Sequence, residues 1–146
     1  MILTPHMLIG AAIGAHSPNA VIAFILGLGS HYLLDSISHW DYIGTLSDLK
    51  KPSNRKKIFF DLLISVFAIV LLLSFKPSIN LLLIGAFAAV LPDGIELINF
   101  IFNISFLKPI SNLHLKKIHN KKILTFKEGW LGLIIVCFLA IIVLIF

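Results

Sequence analysis

Apolar residues fill this chain in long runs, and polar residues collect in the stretches between them. Three runs are long enough, or nearly so, to cross a bilayer as helices: Ile58 to Phe75, Ile79 to Phe102, and Trp130 to Phe146. The region ahead of Lys50 is less regular. Thr4 as N-cap and Pro5 at the first helical position predict a short helix over Pro5 to Ala15. Ser17-Pro18-Asn19 is a turn signal, after which a second helix runs to about Ser38. Pro5 to Ser38 thus reads as a half-helix or tight hairpin followed by a full span. Residues 108 to 127 read as a long polar connection with room for a short helix on the membrane surface. The expected fold is all-α, a single domain over residues 1–146 forming an integral membrane bundle of four to five helices.

Composition strengthens this picture. Of 146 residues, 58% are apolar and 13% charged, and the mean hydropathy is +1.00. An ordinary soluble domain carries about a quarter charged residues. A soluble fold of this size could not hide so much Leu, Ile, Val and Phe, because much of any folded surface stays exposed. Disorder is excluded on the same ground, so lipid is the expected solvent. No Lys or Arg precedes Lys50, so the first apolar stretch lacks the basic flank of a cleaved signal peptide and is expected to stay in the mature protein.

A net charge of +5 and a pI near 9.5 raise the question of nucleic acid, but the basic residues have a topological explanation. Lys50, Lys51, Arg55, Lys56 and Lys57 lie between the second and third helices; Lys108, Lys116, Lys117, Lys121, Lys122 and Lys127 lie between the fourth and fifth. Only Lys76 occupies the remaining loop. Two spans separate the rich loops, so both face one side, and the positive-inside rule makes that side the cytoplasm. The expected location is the cytoplasmic (inner) membrane, with anionic lipid as the partner of the lysines and no nucleic acid. Trp40, Tyr42 and Trp130 fall where an interfacial aromatic belt would be.

The candidate chemistry lies in polar residues that break the apolar runs. Of seven acids, Asp35, Asp61, Asp93 and Glu96 sit inside or at the edge of apolar helices. Ionisable groups at membrane depth cost a few kcal/mol each and mark functional sites with a partner. The basic residues are nearly all in loops, which leaves a metal ion as the economical partner. The single cysteine, Cys137, rules out a Cys-based zinc site, so ligands must be His and carboxylate.

His31, Asp35 and His39 are spaced by four, which places them on one drifting helical stripe. Imidazole with carboxylate suits Zn²⁺ first, with manganese or iron as alternatives; the competing reading is a polar seam that hydrogen-bonds helices together. Leu91-Pro92-Asp93-Gly94-Ile95-Glu96 is the second group. Pro92 frees a carbonyl one turn earlier, and Asp93 and Glu96, three apart, share a face. Asp93 is a candidate ligand, and Glu96 a ligand or general base. Asp61, one turn into the third span, is a ligand, a partner of a ligand, or an acid favoured by the helix dipole. His6 joins if its helix end returns to the cytoplasmic face. His114 and His119 lie in the basic connection, His114 as a further ligand and His119 as a catalytic group. Asp41 either ligates or faces water, and His16 belongs to the opposite turn. Lysine counting and ligand counting agree on one end of the bundle.

Thr4-Pro5-His6, His31-Tyr-Leu-Leu-Asp35 and Leu91-Pro92-Asp93 resemble the membrane-bound predicted metal-dependent hydrolases, one branch of which is induced by the bacterial DNA-damage response. The His-x-x-x-Asp spacing is also similar to that of zinc-dependent phospholipase C. The resemblance implies a multi-pass helical protein with His6, His31, Asp35 and Asp93 in its site. It rests on short motifs. The family's Leu-Pro-Asp is usually followed by a further Asp, where this chain has Gly94-Ile95-Glu96; its His-Arg-Gly-x-Thr-His segment is absent, and the motif order differs. The expected activity is hydrolysis of a phospholipid or similar phosphoester with one or two divalent ions. A metal-ion carrier or channel and a scaffold with a structural metal are the competing readings.

Overall fold

A computed structural model describes residues 2–41, 46–73, 78–113 and 124–146. His114, His119, Tyr42, Lys76 and four lysines of the basic connection (Lys116, Lys117, Lys121, Lys122) lie outside the described residues. Six α-helices carry the fold: α1 (Leu3–Ala15), α2 (Ala20–Ser36), α3 (Pro52–Leu72), α4 (Ile79–Phe102), α5 (Lys108–Leu113) and α6 (Phe126–Ile145). Short 3-10 turns at Leu46–Lys50 and Ser105–Leu107 join them. Among the described residues there is no strand, only an isolated bridge between Trp40 and Leu124.

The helix ends follow local chemistry. Asn19 caps α2, its side chain accepting from the Ile22 amide at 3.0 Å. Asn103 ends α4 in the left-handed conformation that Asn tolerates. α6 begins at Phe126, ahead of the expected Trp130, because Thr125 and Glu128 form a reciprocal capping box. α1 begins at Leu3, and Thr4 lies within its first turn rather than capping it. α2 stops at Ser36, short of His39.

Among the described residues only α4 and α6 are long and apolar enough to cross a membrane; α2, which stops at Ser36 after 17 residues, falls short of the full span expected of it. α3 has 21 residues, but its first turns hold Arg55, Lys56 and Lys57 and a later one Asp61, so its apolar part is shorter. α1 is not peripheral, despite its 13 residues. It is the hub of the bundle, packed against α2, α3, α4 and α6. The start of α1 meets the first half of α3 and the later halves of α2 and α4. The end of α1 meets the end of α6, where His16 Nε2 donates to the Val143 carbonyl at 2.7 Å. So α1, α3 and α6 run one way and α2 and α4 the other.

Close approach requires small residues. A Cβ on Gly10 would strike the Gly85 carbonyl, and one on Gly85 would strike the Gly10 carbonyl. A Cβ on Gly27 would lie 2.6 Å from the same Gly85 oxygen. Gly85 is thus the point where α4 touches both α1 and α2, and Ala86, Ala88 and Ala89 continue the contact as buried residues. Backbones this close gain dispersion along their whole length, the form of packing that serves where the surroundings are as apolar as the side chains.

The distribution of side chains is inverted relative to a water-soluble core. His6, His31, Asp35 and Ser65 are fully enclosed. Phe59, Phe60, Phe67, Phe87 and Phe138 are each more than half exposed. A separate apolar core of Leu8, Ala11, Ala12, Leu82, Ala86 and Leu144 fills the middle and far end of the bundle.

Candidate metal centre

His6 comes from the first turns of α1, His31 and Asp35 from successive turns near the end of α2, and Asp93 from the turn of α4 that follows Pro92. His6, His31 and Asp93 each bring one ligand atom within 4.8 Å of the others. Asp35 stands among the imidazoles. Its Oδ1 is 3.1 Å from His6 Nε2, its Oδ2 3.2 Å from His31 Nε2, and His39 Nε2 lies 3.9 Å from Oδ1. His31 Nε2 is also 3.7 Å from Asp93 Oδ1.

The orientation of the rings is set from behind. His31 Nδ1 donates to the Ala89 carbonyl at 2.7 Å, and His39 Nδ1 to the Ile37 carbonyl at 2.7 Å. A carbonyl only accepts, so each Nδ1 carries the proton and each Nε2 points toward carboxylate as a lone pair or as a second, charging N–H. The Ala89 carbonyl sits three residues before Pro92, in the turn that the proline ring loosens. Pro92 does not end α4, which continues to Phe102; its effect is confined to that turn.

Protons alone satisfy this cluster poorly. The His6 and His31 rings stack with centroids 4.2 Å apart and 28° between planes, so two imidazolium ions there would repel face to face. His6 Nδ1 is buried with no hydrogen-bond partner among the described residues. The cluster could hold a divalent cation. Around a tetrahedral ion with bonds of 2.0–2.1 Å, ligand atoms are about 3.3 Å apart, and around an octahedral one about 3.0 Å. The separations between Asp35 and the two nearest imidazoles match these edges, and a backbone carbonyl behind each ring is the usual support of a metal-binding histidine. His6, His31 and Asp93 are the group whose ligand atoms lie close enough together to hold one ion, with Asp35 between the two rings. Asp93, 28% exposed, is the member that faces outward.

His39 reaches the cluster by another route than the helical stripe. Beyond α2 its carbonyl accepts from the Leu124 amide at 2.9 Å, and Trp40 packs its backbone onto Gly129 and its ring edge-on to Phe126. The start of α6 therefore holds His39 in place. Glu96 is buried one turn beyond Asp93 on α4 and lies outside the His6/His31/Asp93 group. Asp61 is not brought to the cluster. Its carboxylate accepts from the Leu3 amide at 2.6 Å, the Thr4 amide at 3.3 Å, and the Thr4 hydroxyl. Asp41 is half-buried beside Trp40, and His16 lies at the far end. The supporting contacts of Ala89, Leu124 and Gly129 escaped sequence reasoning; Thr125-Phe126-Lys127-Glu128 was the signal for the last two, since a capping box there starts α6 early enough to meet Trp40.

An apolar crevice of about 500 Å³ between α1, α2 and α6, lined by Ile9, Ala12, Ile13, Ile22, Leu26 and Val143, lies at the opposite end and holds none of these ligands. Comparison with protein families, curated proteins and solved structures finds no match to this chain.

Proposed function

We propose that this protein is a multi-pass membrane hydrolase of the cytoplasmic (inner) membrane that uses a divalent metal, zinc first, on a phospholipid or other phosphoester at head-group depth. The observation that carries the reading is Asp35, an enclosed carboxylate faced by the Nε2 atoms of His6, His31 and His39 while Nδ1 of two of those rings is committed to backbone carbonyls. His6, His31, Asp35, Asp93 and His39 would hold the metal. A divalent ion in such a site supplies hydroxide at neutral pH and polarises a phosphoryl oxygen.

The chain's own residues supply the rest. Asp93 opens the site to the exterior, where a head group would enter. Glu96, buried on the same helix, would take or return a proton. Exposed Lys50, Lys51, Arg55, Lys56 and Lys57 on and before the first turns of α3 would draw phosphate to that end. Hydrolysis is favoured over ion transport because the bundle between the site and the far end is filled by Leu8, Ala11, Ala12, Leu82 and Ala86.

The test is elemental analysis of protein purified in mild detergent without added metal, beside a His31→Ala/His39→Ala control. About one or two equivalents of zinc, manganese or iron, absent from the control, are expected. A phospholipid panel then reports activity that a chelator abolishes and the metal restores. A folded wild type that takes up no metal even on reloading overturns the reading.

A further inference from the structure

α1 poses a problem that the site inherits. His6 sits in its second turn, so the position of His6 is set by how the start of that helix is anchored. The residue at the N-cap is Ile2, which has no side chain able to cap. The first amides of α1 are nonetheless satisfied from outside the helix. Asp61 Oδ2 accepts from Leu3 N at 2.6 Å and Oδ1 from Thr4 N at 3.3 Å. The Thr4 hydroxyl also donates to that carboxylate, and it lies 2.8 Å from Ser65 Oγ. Ser65 Oγ in turn donates to the Asp61 carbonyl at 2.6 Å. Asp61 and Ser65 are both buried.

We propose that Asp61, with Thr4 and Ser65, is a clamp that caps α1 in trans and fixes His6 in register with Asp35, making Asp61 a positioning residue rather than a ligand. This rests on the metal-site reading only for its effect on affinity. The clamp acts in two ways. Two carboxylate oxygens and a hydroxyl fix both the rotation and the height of the first turn, and His6 follows two residues after Thr4. The carboxylate also offsets the partial positive charge of the α1 N-terminus, which would otherwise oppose a cation held one turn away. On the face that meets α4, α1 presents Gly10 and Gly14, so the polar anchor at its start adds an axial restraint that this face does not supply.

The experiment is a double-mutant cycle read by metal affinity. Zn²⁺ is titrated against a chromophoric chelator in the wild type, Asp61→Ala, His6→Ala and the double variant. Asp61→Ala is expected to weaken binding by about ten- to a hundredfold, the range for a residue that orients a ligand. His6→Ala should then add less than about twofold in the Asp61→Ala background, whereas His39→Ala adds its full loss. Additive losses for Asp61 and His6 overturn the clamp. Thr4→Ser should keep wild-type affinity and Thr4→Val should not. If Asp61→Ala fails to fold, Asp61→Asn, which keeps one acceptor, replaces it. A second readout needs no metal: the imidazole ¹⁵N signals of the apo protein. In the Asp61 variant the His6 signal should lose its Asp35-bonded shift while that of His31 stays. An unmoved His6 signal sinks the clamp. A wild type that binds no metal, with a His6 signal that does move, sinks the metal reading and leaves the clamp standing.

Discussion

Asp35 is enclosed, with the imidazoles of His6, His31 and His39 approaching its two oxygens. Removing it takes away the carboxylate common to three histidines without touching an apolar contact surface. Asp35→Ala is therefore expected to abolish metal retention while the protein still enters membranes and keeps its helical circular dichroism. Full metal occupancy in Asp35→Ala would mean that the centre lies elsewhere. Pro92 is tested the other way: Pro92→Ala restores an amide that bonds the Ala88 carbonyl, which should steady α4 but tighten the turn and shift the neighbouring Ala89 carbonyl off His31. We expect metal affinity to fall about tenfold with no loss of thermal stability. The pairing of His31 with Asp35 was legible because four residues make about one helical turn. His39 reached the same place for a reason that spacing does not carry, since the helix stops at Ser36 and Leu124 holds the segment beyond it. Asp61 was legible as a ligand, a partner of a ligand or an acid favoured by the helix dipole, and spacing could not choose among these because the amide it accepts from is 58 positions away.

At the scale of elements, the glycines decide where helices meet. Gly85→Leu would drive a branched side chain into the Gly10 carbonyl and the Gly14 backbone, and should cost about 2 kcal/mol or more, seen as a lowered midpoint of unfolding in detergent. Gly94 has open space around its Cβ position, so Gly94→Ala on the same helix should be neutral or stabilise by up to about 1 kcal/mol. If the two behave alike, the α1–α4 contact is not the tight one described. The five long apolar or periodic segments were readable as helices from the sequence. The centrality of α1 was not: a 13-residue helix looks peripheral when length is the guide, and only Gly10-x-x-x-Gly14 facing Gly85 explains its place.

For the whole molecule, the inverted arrangement of polar interior and aromatic exterior is what the membrane reading predicts from composition, and α6 offers a direct check of it. Cys137, the only cysteine, lies near the midpoint of α6 half-buried against the apolar core, so replacing it by Ser leaves Phe138→Cys, at an exposed position beside it, as the one labelling site. A spin label there, with the protein in bilayers, should be relaxed strongly by oxygen and weakly by a water-soluble nickel chelate. The reverse ranking would take α6 out of the hydrocarbon. The shortage of charge made long apolar helices legible; it left their arrangement open because exposed Phe and buried Leu look alike in a list of residues.

The hub position of α1 also has a consequence for how the protein comes into being. α1 precedes all of its partners in the chain: its cap lies on α3, its close neighbour on α4, and its far end is tied to α6 through His16 and Val143. During synthesis it must wait, carrying a buried histidine toward a carboxylate on α2, until more than a hundred further residues have emerged. The centre therefore closes only once α6 has emerged, and a product stalled before α6 would leave its histidines and acids without their full enclosure. Such a product would be poorly placed to hold a metal, and its unpaired polar groups would mark it for removal.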